Sequence, residues 1–358
     1  MNMTCPITVM VTGAGAPGTI GTLFAIKNNP DRIKFKIITT DIGSDAVGQY
    51  LSECFYAVPP PEDESYIKKI DEIVKRENVK IILPQTTREI EVLAQQSGHF
   101  NELGAVVIAS GHRSVKEAND KSMLLVKAKE IGIPYPSFVM THSRDEFVSA
   151  VNDFGYPGNK VVVKPPVSNG MRGVRILARD KWDVKRFLKE KPDGIETDLE
   201  NILKILSNGE WPPLLVVEYL EGVEYTIDVF RNRLGVVVIP RLRKNIRSGI
   251  TFEACVDYRK DLIEYSSKLA EACDLQYCFG FQFKLSKEGV PKLLECNPRV
   301  QGTMVLSAFA GFNVVYYSIR EALGYHVDTG AVRLKNNVRF KRYWGGIATE
   351  DGSFLGKI

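Results

Sequence analysis

Apolar positions along the first 110 residues follow two periods in alternation. Ile7 to Val11, Phe35 to Thr40, Lys80 to Leu83 and Ala105 to Ala109 are short apolar runs and predict strands. Thr19 to Asn28, Glu64 to Arg76 and Arg88 to Gln96 predict helices; in the middle one, Tyr66, Ile67, Ile70, Ile73 and Val74 recur at helical spacing. Near-continuous apolar strands alternating with helices predict a parallel sheet covered on both faces.

After Gly111 the texture changes. Ser114 to Ile131 predicts one helix, stopped by Gly132-Ile133-Pro134-Tyr135-Pro136. A strand from Ser137 to Met140 and a helix from Ser143 to Phe154 follow. Val161 to Lys164 is a strand that runs into the small-residue loop Pro165 to Gly173 and returns as Val174 to Ala178. Lys189 to Trp211 is polar except for the amphipathic Leu199 to Leu206. From Pro213 strands dominate: Leu214 to Glu218, Glu224 to Phe230, Gly235 to Ile239, Gly280 to Leu285 and Lys292 to Cys296, interrupted by a helix from Leu262 to Cys273. That is a mixed α+β region on its own sheet. Thr329 to Ile358 reads as strand and loop. The expected division is 1–112, 113–212 and 213–358.

Composition narrows the class without naming a function. The 358 residues, 44% hydrophobic and 25% charged, suit two or three globular domains and exclude a disordered chain. Lys+Arg 47 against Asp+Glu 43 leaves +4, too weak a bias for a nucleic-acid surface. No apolar run approaches the roughly 20 residues that span a bilayer, and the start of the chain lacks the pattern of a signal peptide. Cys5, Cys54, Cys255, Cys273, Cys278 and Cys296 form no C-x-x-C and match no zinc module. They are expected to be reduced, partly buried residues of a cytoplasmic protein. The four histidines make no H-x-x-x-H, and no G-x-S-x-G occurs. No pattern encodes an oligomeric state; a homodimer is compatible with it.

Two motifs carry candidate chemistry. Gly13-Ala14-Gly15-Ala16-Pro17-Gly18 follows the first strand, and Asp41 closes the second, as a dinucleotide fingerprint asks. Pro17 removes one amide from such a phosphate cradle. The alternative is a glycine-dependent turn that binds no NAD. The second motif lies near residue 290. Phe279 to Leu285 and Lys292 to Asn297 read as strands joined by Ser286-Lys287-Glu288-Gly289. With the turn centred between Glu288 and Gly289, Gln282 faces Glu295. Gln282, Glu295 and Asn297 then share one face, opposite Phe281, Phe283, Leu294 and Cys296. Glu295 and Asn297 stand roughly 7 Å apart along the strand. Such oxygens suit Mg²⁺ beside a polyphosphate, or Mn²⁺ in its place. Arg299, after Pro298, adds a guanidinium fork. The bland reading is a polar hairpin face.

Glu295-Cys296-Asn297-Pro298-Arg299, followed by Gly302, resembles the metal-binding strand of the ATP-grasp superfamily. Gln282 stands where carbamoyl-phosphate synthetase has its partnering residue. The resemblance, in the correct order from about residue 5 to 325, implies an α/β protein: a Rossmann-like pre-ATP-grasp domain, then two α+β lobes that clamp ATP. It implies that the backbone of Glu218 and Leu220 reads adenine and that Glu224 holds the ribose hydroxyls. Lys164 and Lys121 would contact phosphates, and a loop with Ser168, Gly170 and Gly173 would close over them. Metal ions would sit on Gln282, Glu295 and Asn297. Lys164 and Arg299 would offset charge on the transferring phosphoryl group. Carbamoyl-phosphate synthetase has a second arginine where Gly302 stands, and two such modules where this chain has one. The resemblance therefore implies a standalone carboxylate–amine ligase acting on small molecules through an acylphosphate.

Arg241 and Arg243, with Arg247-Ser248-Gly249, are candidate substrate elements. Two arginines on one strand face can dock a carboxylate or phosphate, or can simply guard a basic edge strand. Two other classes compete: an NAD-dependent oxidoreductase built on Gly13, Gly15, Gly18 and Asp41, and an ATP-binding sensor without turnover.

Overall fold

The computed structural model describes residues 6–179, 183–189 and 194–358. Cys5 and part of the polar segment after Lys189 lie outside them. Strands β1 (Ile7–Val11), β2 (Phe35–Asp41), β3 (Cys54–Ala57), β4 (Val79–Leu83) and β5 (Val106–Val107) form a parallel sheet in the order β3-β2-β1-β4-β5. Val9, Val11, Ile37 and Ile81 enter one buried cluster; Met10, Ile38 and Ile82 enter another. Both faces are thus covered, which is why these strands read as continuous apolar runs.

Strand order reverses between β1 and β4, and the glycine turn after β1 lies at that switch point. Its residues are committed to the protein itself. Gly13 has φ +64°, and a Cβ there would lie 2.4 Å from Thr86 Cγ2. The Gly15 N–H donates to Asp41 Oδ2 at 2.7 Å. A Cβ on Gly18 would lie 2.7 Å from the Gly302 Cα. These contacts account for the glycine pattern through turn geometry and close backbone packing, and nothing in them calls for a dinucleotide.

A second sheet holds β6 (Phe138–Thr141), β7 (Val161–Lys164), β8 (Arg175–Leu177), β9 (Glu196–Thr197) and β10 (Leu214–Glu218), ordered β6-β10-β7-β8-β9. Val161, Val163, Leu177, Leu214 and Val216 pack against Phe147, Ala150 and Val151 of the helix Arg144–Asp153. The third sheet comprises β11 (Glu224–Asn232), β12 (Gly235–Arg247), β13 (Ile250–Val256), β14 (Tyr277–Leu285), β15 (Pro291–Asn297) and β16 (Arg339–Lys341). Its order is β15-β14-β11-β12-β13-β16. β17 (Ile347–Glu350) and β18 (Ser353–Lys357) make a terminal hairpin. The chain falls into two compact units. One takes the chain up to Asn119 with Glu224–Gln282 and Glu295–Ile358; the other takes Asp120–Val223 with Phe283–Leu294.

Three local expectations change. The single helix from Ser114 to Ile131 is two, His112–Asn119 and Lys121–Glu130. Asp120 breaks it: its backbone is extended and its carboxylate accepts from Ser122 N and Met123 N, an N-cap inside an otherwise helical pattern. β12 runs on to Arg247, its far half masked by the charged Arg241, Arg243, Lys244 and Arg247, and β13 is a strand that the sequence reading did not expect. β3 is four half-buried or exposed residues, too short to show a period. Among the described cysteines, Cys54 is half-buried, Cys255, Cys273, Cys278 and Cys296 are buried, and all are free. No helix among the described residues is long and apolar enough to cross a membrane.

Candidate active site

In the first unit the side chains of interest gather on β11, β12, β14 and the end of β15. Asn297 Nδ2 donates to Glu295 Oε1 at 3.2 Å, so the two side chains share a face as their spacing predicts. The chain turns sharply after them, with Arg299 N donating to Asn297 O at 2.7 Å. The Arg299 guanidinium is fixed on three sides: Nη2 donates to Asn297 Oδ1 at 3.0 Å, Nη1 to Val300 O at 3.0 Å and Nε to Thr87 Oγ1 at 3.0 Å. Burial pulls its pKa below the ordinary arginine value, while the nearby Glu295 charge opposes that shift. Thr87 opens the helix Thr87–Gln95, whose N-cap is Thr86. Two residues on, the buried Glu89 accepts from Thr86 Oγ1 and Tyr66 OH, and burial raises its carboxyl above the usual range. Sequence reasoning did not find Thr87, because 212 residues separate it from Arg299 and no local pattern links them.

Glu224 and Gln282 meet at Arg243. Arg243 Nη1 donates to Glu224 Oε1 and, at 3.4 Å, to Gln282 Oε1. Its Nε donates to Thr251 Oγ1 at 2.8 Å and its Nη2 to Gly249 O at 2.6 Å. Arg241 shares its strand face but is 0% exposed. It pairs with Asp228 at 2.7 Å and donates to Gln301 Oε1 at 3.3 Å and to Thr303 Oγ1. This corrects both readings of the pair. β12 lies inside the sheet, so it is no edge strand, and a sealed Arg241 cannot dock a substrate. Arg241 instead fastens the segment that follows Arg299.

Burial along β15 also departs from simple alternation. Pro291 and Leu293 are buried near the turn and Cys296 near the other end, so opposite faces are covered at the two ends. Leu293 is therefore in the core where Leu294 was expected. The turn itself closes through Ser286 N to Val290 O at 2.8 Å, with Gly289 at φ +82°.

The second unit holds the remaining predicted residues. Lys164, the last residue of β7, is buried and donates from Nζ to Leu294 O at 3.2 Å. Lys121 is not mid-helix but the first helical residue, 4% exposed; its Nζ donates to Ser168 Oγ at 3.2 Å and Ser168 O at 3.4 Å. The loop after β7 turns through Gly170 (φ +58°) and Gly173 (φ +76°), and a Cβ on Gly173 would lie 2.5 Å from Pro165 Cγ. Glu218 ends β10 with its carboxylate held by Lys292 Nζ at 2.7 and 2.8 Å and by Ser137 N at 3.0 Å. Leu220 is buried. Lys160 and Lys284 lie over the Tyr219 ring at 5.9 and 5.2 Å.

Comparison with known proteins supplies the class. Residues 210–343 match the family described as ATP-grasp in the biosynthetic pathway with Ter operon, and residues 9–108 the one described as PylC-like, N-terminal domain. The carbamoyl phosphate synthase large chain of Clostridium acetobutylicum is 23% identical over 282 residues, covering 74% of this chain and 24% of that protein. The large chain of Methanobrevibacter smithii is 26% identical over 285 residues, covering 75% and 25%. This chain thus spans about a quarter of the length of these relatives. N5-carboxyaminoimidazole synthetase from Staphylococcus aureus, solved with ADP, has a TM-score of 0.68 at 16% identity, covering 92% of this chain and 81% of that one. Biotin carboxylase from Campylobacter jejuni has a TM-score of 0.68 at 18% identity, covering 93% and 75%. The architecture is that of an ATP-grasp fold: a parallel-sheet domain followed by two largely antiparallel sheets. Residues 210–343 thus carry the match to an ATP-grasp family, and the sequence resembles a module of the carbamoyl phosphate synthase large chain.

Proposed function

We propose that the protein is an ATP-dependent ligase that activates a carboxylate as an acylphosphate and joins it to an amine or a similar nucleophile. The observation that carries this reading is the bonded run Glu295, Asn297 and Arg299: the Asn297 amide nitrogen bonds the Glu295 carboxylate, and its oxygen bonds an Arg299 guanidinium fixed on three sides. The donor set suits Mg²⁺: Glu295, Asn297 and Gln282 offer hard oxygens. Bound Mg²⁺ would neutralise phosphate charge, and Mn²⁺ fits the same ligands.

The chemistry needs no protein nucleophile. A carboxylate oxygen attacks the γ-phosphorus, the bond to the ADP oxygen breaks, and ADP leaves with that electron pair. The amine nitrogen then attacks the acyl carbon, the bond to the phosphate oxygen breaks, and the nitrogen gives its proton to water. Lys164 and Arg299 are the catalytic residues in this reading, offsetting charge on the transferring group. Lys121 and Ser168, with the Gly170 and Gly173 loop, hold phosphates; the backbone of Glu218 and Leu220 reads adenine; Glu224 takes the ribose hydroxyls. Arg243 is a positioning residue that ties Glu224 to Gln282. The substrates are small molecules, the free cysteines among the described residues suit a cytoplasmic setting, and a homodimer is part of the proposal. The biotin carboxylase domain of Hydrogenobacter thermophilus, with a TM-score of 0.67, is a dimer. A screen of carboxylate and amine pairs for ADP release tests the reading. Release that requires both partners is expected; nucleotide binding without turnover for any pair would favour a sensor.

A further inference from the structure

Most buried arginines of the first unit have a carboxylate beside them: Arg241 has Asp228 and Arg243 has Glu224. Arg342, half-buried in the segment after β16, does not. Its Nη1 donates to Pro17 O at 3.1 Å, its Nη2 to Gly302 O at 3.2 Å and its Nε to Thr251 O at 3.4 Å, all neutral carbonyls. Burial alone pulls its pKa down, with no charged neighbour opposing it. A partly desolvated guanidinium surrounded by neutral oxygens is costly unless an anion completes it. The contact to Gly302 O places it three residues along the chain from Arg299.

One exposed ring, that of Trp344, packs on the buried Phe252 next to this charge. Arg342 N donates to Phe252 O at 2.7 Å. The Phe252 ring lies 5.2 Å from that of Trp344, and Arg247 sits over Phe252 at 4.7 Å. Trp344 is 77% exposed, although indole is among the side chains most favoured in the interior or at a contact. Neither Arg247 nor Arg342 has an ion-pair partner among the described residues. Arg342 also lies over the Phe340 ring at 5.8 Å, so both guanidinium groups rest on aromatic rings while neither has a carboxylate partner among the described residues. Two such groups beside an exposed indole match an oxyanion carried on a flat ring: the charges take the anion, and the ring stacks.

We propose that Arg342, Arg247, Phe252 and Trp344 form the docking site for the acid substrate, and that this substrate is an aromatic or heteroaromatic compound bearing a carboxylate or a phosphate. The assignment rests on the ligase reading given above. It makes Trp344 a specificity-determining residue, and it brings the substrate acid beside the segment that carries Arg299.

The test is calorimetric binding to the full chain, with benzoate, phenyl phosphate, acetate and inorganic phosphate as probes and a non-hydrolysable MgATP analogue as control. Wild type should bind the two ring-bearing anions more tightly than the two small ones, and the preference between benzoate and phenyl phosphate identifies the anion. Trp344→Ala should remove the ring preference. Arg342→Gln should weaken both ring-bearing anions by about tenfold or more, the scale of one charge-assisted hydrogen bond. Both variants should bind the MgATP analogue as wild type does. Should Arg342→Gln fail to fold, the exposed Arg247→Gln and Trp344→Ala decide. Unchanged binding of the ring-bearing anions in those variants overturns the proposal, as does a wild type that binds the analogue but none of the anions. A wild type that binds no analogue overturns the ligase reading instead.

Discussion

Arg241 and Arg243 lie two residues apart on one strand face and have separate carboxylate partners, Asp228 and Glu224. Arg241 is sealed with Asp228, and burial raises the Asp228 carboxyl against the pull of the guanidinium. Removing one member leaves the other charged and buried. Arg241→Met should therefore cost about 3–5 kcal/mol in urea unfolding, and adding Asp228→Leu should restore much of the loss. Simple additivity of the two losses would contradict this account. Glu89 gives a pH signature. Burial lifts its folded pKa above the ordinary value of 4.5, so the folded protein keeps a proton that the unfolded chain has lost. Stability is fully present below that ordinary value and is lost as pH rises toward the folded pKa. Glu89→Gln should flatten thermal stability against pH in this window and raise it near neutrality. An unchanged profile would show that Glu89 is ionised in the folded protein.

Among the elements, the helix Lys121–Glu130 shows how a local signal sets the side chain proposed to contact phosphate. Asp120 caps it, and Lys121 follows immediately, its Nζ directed to Ser168. Asp120→Ala should cost about 1 kcal/mol and weaken binding of a MgATP analogue, measured by unfolding and calorimetry on the same sample; loss of stability with full affinity would separate Lys121 from the nucleotide. Gly18 opens another helix against the Gly302 backbone, so Gly18→Ala should push that segment away, costing about 1–3 kcal/mol with a fall in turnover. The elements also show what the sequence carried. The parallel strands other than β3, the β7 loop and the Glu295-to-Arg299 run were legible because each is signalled within a few residues. The break at Asp120 was hidden because a cap residue inside two helical patterns looks like one helix. The far half of β12 was hidden by charged residues, two of which, Arg241 and Arg243, find carboxylate partners on β11. Thr87 and Arg342 were beyond reach: each joins Arg299 or Gly302 from a distant part of the chain.

For the whole molecule, the sheet orders and the likeness to ATP-grasp structures fix the architecture, and the proposed activity depends on divalent ions held by Glu295, Asn297 and Gln282. A nucleotide that binds only the folded state raises stability in proportion to the logarithm of its saturation, by about 2.7 kcal/mol at a hundred times its Kd. The most direct measurement is thermal unfolding of wild type and Glu295→Ala with a non-hydrolysable ATP analogue, with and without Mg²⁺. Wild type should be stabilised by the analogue and much more so when Mg²⁺ is present. Glu295→Ala should melt like wild type without ligand and lose the Mg²⁺-dependent part. Equal Mg²⁺-dependent stabilisation of both proteins would contradict the metal assignment on which the ligase reading stands.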